Sequence, residues 1–208
     1  MQHIGIFGGT FDPVHWGHLL VAQTTLYQVP LSKVIWVPSL NPPHKKVALF
    51  KNRWEMLKLA TRGNSAFTLS SIEAKRSGTS YAINTFMDLS SCYADTHWYW
   101  ITGLDTFQTL PRWYRGRELV QMCDWLIAPR QLGGKTTDQS ELICKQVEQQ
   151  LTQQSLTIRW QILDIPLIGI SSSLIRRLCR ESRSIAYLVP ESVRSYINTH
   201  NLYSDKSE

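Results

Sequence analysis

The sequence predicts an α/β fold, a mostly parallel sheet with helices on both faces and a small helical appendage at the C-terminal end. Three observations carry that reading. Short β-rich runs alternate with helix-like segments, the first run ends in a glycine pair, and 208 residues suffice for one well-buried α/β unit but are short for two. The chain is therefore read as a single domain over 1–208, with its helical part at about 170–203 and a loose tail at 204–208.

Strand-like runs fall at 4–8, 34–38, 67–72, 98–102, 125–128 and 158–163. Helix-like segments lie between or beside them at 18–28, 53–61, 81–90, 118–122 and 141–153. Strand, helix, strand repeated in this way implies a parallel sheet buried on both faces, and ligands of such sheets sit beyond the carboxyl ends of the strands. Gly8 and Gly9 occupy that position on the first strand, and the helix carrying Leu19, Leu20, Ala22 and Leu26 begins near Gly17. The Gln-rich stretch 131–157 is polar, and its first part reads as a mobile surface loop ahead of a helix.

Composition excludes several classes. Hydrophobic residues at 43% and charged residues at 18% argue against extended disorder. Without an apolar run near the roughly 20 residues of a bilayer span, and without a basic region before a hydrophobic block, a cytoplasmic protein is expected. Cys92, Cys123, Cys144 and Cys179 are widely spaced, which suits reduced and mostly buried thiols. A net charge of +6 suits a phosphate-rich partner, nucleic acid or nucleotide, and does not choose between them. The cluster Arg176, Arg177, Arg180 and Arg183 equally fits a solvated helix face.

The segment from Gly8 to His18 lacks both the Lys-Ser/Thr ending of a P-loop and the third glycine of a dinucleotide fingerprint. Its histidines bracket a helix N-terminus, where unpaired N–H groups and the helix dipole favour an anion. Two glycines permit close backbone approach, and Pro13 stiffens the turn. Imidazoles at His15 and His18 can donate to phosphate oxygens without abstracting a proton. No carboxylate presents itself beside them as a general base. Ser171, Ser172 and Ser173 repeat the pattern as a helix start, although serine capping needs no ligand. Arg176, one turn further, can offer a planar donor fork, whereas Arg177 diverges from it by about 100°.

Gly8-Gly9-Thr10-Phe11-Asp12-Pro13 with His15-x-Gly17-His18 resembles the signature of the nucleotidylyltransferase superfamily. Further stretches are similar, in order, to its nicotinate mononucleotide adenylyltransferases: Pro42-Pro43-His44-Lys45, Arg53 with Met56 and Leu57, "EAKRSGTSY" from Glu73 to Tyr81, Gly103-x-Asp105 with Trp113, Ile170-Ser171-Ser172-Ser173 with Ile175-Arg176, and "YLVPESVRSYINTHNLY" ending at Tyr203. The likeness is weakest over 132–161.

The resemblance implies a Rossmann-like fold and transfer of the adenylyl group of ATP to nicotinate mononucleotide, giving nicotinate adenine dinucleotide and pyrophosphate for NAD biosynthesis. His15, His18, Lys45 and Arg176 are the implied catalytic residues. ATP would lie on Gly8, Gly9, Thr10, Phe11, His18, Gly103, Asp105, Ile170, Ser171, Ser172, Ser173 and Arg176. The acceptor would lie on Thr10, Lys45, Tyr81, Ala82, Trp113 and Tyr114, its pyridine ring over Trp113. Asp105 as a plain helix N-cap would look the same in sequence. Mg²⁺ is expected mainly on the ATP phosphates, with no protein ligand. The implied partners are ATP and a pyridine mononucleotide, without nucleic acid or membrane, and a homo-oligomer is left open.

Where the family reads Ser-Tyr-Thr and then Asp-Thr, this chain has Ser80-Tyr81-Ala82 and Asn84-Thr85. One hydroxyl donor near the acceptor carboxylate is lost, which keeps nicotinamide mononucleotide open as the acceptor. Phosphopantetheine fits "EAKRSGTSYA" and Trp113 less well. A basic nucleotide- or nucleic-acid-binding regulator without turnover is the reading from another class.

Overall fold

The computed structural model describes residues 1–43, 46–129, 137–166 and 168–204. Its strands are β1 (Gln2–Gly9), β2 (Lys33–Pro38), β3 (Phe67–Leu69), β4 (Thr96–Gly103), β5 (Asp124–Ala128) and β6 (Trp160–Ile162). Its helices are α1 (Trp16–Gln28), α2 (Phe50–Thr61), α3 (Ala82–Cys92), α4 (Leu104–Phe107), α5 (Gly116–Met122), α6 (Thr137–Thr152), α7 (Ser172–Arg180) and α8 (Glu191–Thr199). The strands form one sheet in the order β3-β2-β1-β4-β5-β6, and every neighbouring pair is parallel.

Side chains alternate across this sheet because successive Cβ atoms point to opposite faces. Ile4, Ile6, Ile35, Val37, Trp98, Trp100, Trp125 and Ile127 enter one core, closed by α3, α5 and α6 through Ile83, Phe86, Leu89, Leu119, Val120, Cys144, Val147 and Leu151. Phe7, Val34, Trp36, Ile101 and Leu126 enter the other, beneath Leu19 and Ala22 of α1 and Met56 and Leu57 of α2. Ile175, Leu178, Val193 and Ile197 join this second core. The C-terminal helices are thus a wall of the core, more than an appendage.

The run 67–72 ends as a strand at Leu69; the Ser70 N–H still donates to the Trp36 carbonyl at 2.9 Å, and Ser71 then leads into a 3₁₀ turn, Ile72–Lys75. The run 158–163 narrows to the three residues of β6. The expected loop lies outside the described residues over 130–136, as does the tail over 205–208, while Ser204 donates to the Asn201 carbonyl at 3.0 Å. Among the described residues no helix is long and apolar enough to cross a membrane.

The strand order reverses direction between β1 and β4, the topological switch point where parallel sheets open a crevice at their carboxyl ends. Phe7 pairs with Ile101, so Gly9 and Gly103 finish at the same edge of the sheet. The glycine pair and the Gly-x-Asp turn therefore face one crevice.

Candidate active site

The chain leaves β1 at Gly9 and enters α1 through His15, the N-cap residue, which is buried at 4% exposure. Its ring stacks on that of His18 at 3.7 Å between centroids. Gly17 makes this seat available: a Cβ there would lie 3.0 Å from the His15 ring. On the other side, His18 meets the edge of Phe11 at 5.1 Å. Phe11 has φ of 50° and folds over Gly9, where a Cβ would come within 2.9 Å of its ring. The H-x-G-H spacing thus stacks His18 on His15, with Phe11 closing the far side edge-on.

A backbone bond sets the proton on His18. The His15 N–H donates to its Nδ1 at 3.3 Å, so the neutral ring carries its hydrogen on Nε2. That arrangement makes His18 a hydrogen-bond donor at a helix N-terminus, which is chemistry for an anion and not for proton abstraction.

Helix α7 starts beside α1. Ser171 is its N-cap and accepts from the Leu174 N–H at 3.1 Å, while the Ser172 hydroxyl donates to the Pro13 carbonyl at 2.9 Å. The Ile170 carbonyl lies 3.8 Å from the Cβ position of Gly17. Two helix N-termini therefore converge on the glycine loop. Arg176 reaches back, its Nη1 donating to the Asp12 carbonyl at 2.6 Å and its Nη2 to the Ser173 hydroxyl at 3.4 Å. Arg177 points to solvent and sits 3.9 Å from Glu181.

Asp12 is a carboxylate in the histidine segment that the sequence reading passed over. It is buried, its Oδ1 accepting from the Tyr203 hydroxyl at 2.6 Å and its Oδ2 from the Ala48 N–H at 3.3 Å. These partners hold it as a structural anion, so it does not stand ready as a base. Arg53 is wholly buried and donates to the carbonyls of Ala48, Thr10 and Leu40 at 2.9, 2.8 and 3.3 Å. Burial lowers its pKa, opposed by the charge of Asp12 and the neighbouring Tyr203 and Glu73. Its signal was present in the sequence: an arginine on the stripe that carries Met56 and Leu57 of α2.

The acceptor side is assembled by longer-range bonds. Tyr81 is the N-cap residue of α3 and Ala82 its first residue, with the Tyr81 ring 4.5 Å from that of Tyr114. Trp113 is half-buried, edge-on to Trp100 and Trp125 at 6.4 and 5.9 Å, and its indole N–H donates to Thr109 at 2.9 Å. Buried Glu73 accepts from the Leu40 N–H at 3.0 Å and from the Thr85 hydroxyl at 2.6 Å. The Ser80 N–H donates to the Asn41 carbonyl at 3.0 Å, and the Asn41 N–H returns to the Ser80 hydroxyl at 3.0 Å. Asp105 lies inside the first turn of α4, whose N-cap is Gly103, so the plain N-cap reading of Asp105 is wrong. Lys45 lies outside the described residues.

The structure thus brings Gly8, Gly9, Thr10, Phe11, His15, His18, Ile170, Ser171, Ser172, Ser173 and Arg176 to one end of the crevice. Tyr81, Ala82, Trp113 and Tyr114 form a separate aromatic corner. A model of the family described as cytidylyltransferase-like matches residues 6–178, from the first strand into α7. The chain belongs to that family. Within it, a Nostoc protein named "Probable nicotinate-nucleotide adenylyltransferase" is 68% identical over 208 residues, covering 100% of both chains. A Synechococcus protein of the same name is 41% identical and covers 98% of this chain and 96% of its own. The solved structure of a Plasmodium falciparum nicotinic acid mononucleotide adenylyltransferase complexed with NaAD superposes with a TM-score of 0.79 over 98% of each chain, at 19% identity. At that identity the likeness speaks for the fold.

Proposed function

We propose that this cytidylyltransferase-like chain is a nicotinate-nucleotide adenylyltransferase: it transfers the adenylyl group of ATP to nicotinate mononucleotide and releases pyrophosphate, a step of NAD biosynthesis. The observation that carries the reading is the pairing of the α1 and α7 N-termini around the glycine loop, with the hydrogen of neutral His18 on Nε2. Relatives named for this activity across the full length support it. The cores shared by sheet and C-terminal helices support treating 1–208 as one domain, and a cytoplasmic location suits such an enzyme.

The acceptor's phosphate oxygen attacks the α-phosphorus of ATP in line, and the bond to the β-phosphate bridging oxygen breaks. A phosphate monoester is a nucleophile at neutral pH, so the protein's work is positioning and charge stabilisation. His18 donates from Nε2 to the reacting phosphate, and buried His15 holds its ring in place. Thr10, the Phe11 backbone and the amides of Ser172 and Ser173 bind phosphate oxygens. Arg176 takes charge on the departing pyrophosphate, and Lys45 is assigned to the phosphates by family likeness alone. The nicotinate carboxylate is placed at the N-terminus of α3, near Tyr81 and Ala82, and the pyridine against the Trp113 and Tyr114 corner. Asp105 is assigned to the nucleotide ribose.

Magnesium belongs to this scheme as part of the MgATP substrate. Among the described residues no group of three or more His, Cys, Asp or Glu side chains could hold a metal ion, and the buried carboxylates Asp12 and Glu73 are occupied by protein donors. A protein cage does not fit these residues. Pyrophosphate release from ATP with nicotinate mononucleotide, nicotinamide mononucleotide and phosphopantetheine as separate acceptors tests the proposal. Release with the first exceeding the other two is expected; none with any acceptor would refute it.

A further inference from the structure

Asp12 and Tyr203 have no part in the transfer as written, yet they meet beside Arg176. We infer that the Tyr203 hydroxyl is a latch on the Asp12 carboxylate that keeps its loose ion pair with Arg176 from closing into a two-bond pair, and that Tyr203 is thereby a positioning residue for the pyrophosphate end of ATP. The inference takes its functional meaning from the adenylyl-transfer reading.

The geometry sets up a competition. Tyr203 donates to Oδ1 at 2.6 Å, and Ala48 donates to Oδ2 at 3.3 Å. Oδ2 already forms a loose ion pair with Nη1 of Arg176 at 3.9 Å, while that Nη1 donates to the Asp12 carbonyl at 2.6 Å. The Asp12 side chain is 4% exposed, so a carboxylate that lost its hydroxyl partner would be poorly served by water. The cheapest relief is a small rotation toward Arg176, whose planar fork matches a carboxylate in two parallel bonds. That pairing would turn the guanidinium away from a phosphate ligand. Arg53 cannot relieve Asp12 as readily, since its guanidinium already donates to three carbonyls. Tyr203 remains a donor across the neutral range, because burial and the nearby Asp12 push its phenol pKa far upward.

The test is Tyr203→Phe, which keeps the ring and removes only the hydroxyl. Affinity for inorganic pyrophosphate, measured by calorimetry on the full chain, reads the latch without turnover, and KM values for ATP and the acceptor read it in the reaction. Pyrophosphate binding should weaken about tenfold, the scale for one hydrogen bond to a charged group, with the KM for ATP rising in parallel and that of the acceptor unchanged. Adding Asp12→Asn should recover most of the lost affinity, since a neutral amide has no charge with which to hold Arg176. In an Arg176→Ala background, Tyr203→Phe should cost nothing further. Unchanged pyrophosphate affinity, an equal rise in both KM values, no recovery with Asp12→Asn, or a wild-type protein that binds no pyrophosphate would each overturn the latch. Failure of the wild type to release pyrophosphate from ATP would instead remove the functional reading, with the binding comparison still deciding the latch.

Discussion

At the end proposed for phosphate, the assigned groups come from two short segments, Gly8 to His18 and Ile170 to Arg176, and most are backbone amides or small side chains at helix starts. At the end assigned to the acceptor, Tyr81, Ala82, Trp113 and Tyr114 come from separate segments, buttressed by bonds such as those from the Leu40 N–H to Glu73 and from the Asn41 N–H to the Ser80 hydroxyl. The contrast teaches where specificity resides. On the proposed reading, phosphate binding is written in local geometry, and choice of acceptor in contacts between distant segments.

The strongest way to break the phosphate end is His18→Ala. Turnover should fall by roughly a hundredfold or more, the scale for losing a preorganised donor, while circular dichroism stays native. Near-normal turnover in a folded mutant would remove His18 from the chemistry. Arg176→Ala comes next, with kcat/KM for ATP reduced about thirtyfold, as for a charged hydrogen bond. Arg177→Ala, removing an exposed side chain, should leave the same constant within about twofold, because exposed pairs contribute little.

Gly17→Ala sharpens the comparison without deleting any functional group. Its Cβ would push on the His15 ring from 3.0 Å, displacing the stack that seats His18. A loss of about tenfold in kcat is expected, since small misplacements of catalytic groups are costly. If kinetics and melting temperature both stay at wild-type values, the ring seat is not a constraint.

At the acceptor end, Glu73→Gln puts an N–H₂ where an acceptor is needed, against either the Leu40 N–H or the Thr85 hydroxyl. The acceptor's KM should rise several-fold, about what a mismatched buried bond costs, with the KM for ATP little changed. An equal rise in both would mean the two ends are not separable. The smallest effect is Ala82→Thr at the start of α3. It should widen preference for nicotinate over nicotinamide mononucleotide about threefold, the value of one modest hydrogen bond. Side-by-side specificity constants decide this.

How much of this was legible follows from the same contrast. All six strands overlap the predicted runs, since a sheet buried on both faces leaves dense apolar blocks such as Val34 to Val37. The glycine turn and the serine-capped helix start were readable because both are set by short-range backbone preferences. The short helix α4, with its four residues, carries no periodicity to detect. Glu73 and Tyr203 were invisible as bonding groups, since nothing local tells a buried carboxylate or phenol which distant partner it will meet. Asp12 was in view, but its bond to a hydroxyl from the other end of the chain was not.

That hydroxyl also has a schedule. Asp12 and Tyr203 are separated by 191 residues, and at ribosomal speeds of about 5–20 residues per second the second follows the first by roughly 10–40 s. During that interval the nascent chain carries its histidine loop without the hydroxyl partner of Asp12, and one face of the sheet lacks the cover of α7 and α8. The loop is thus completed by a residue made 191 positions later.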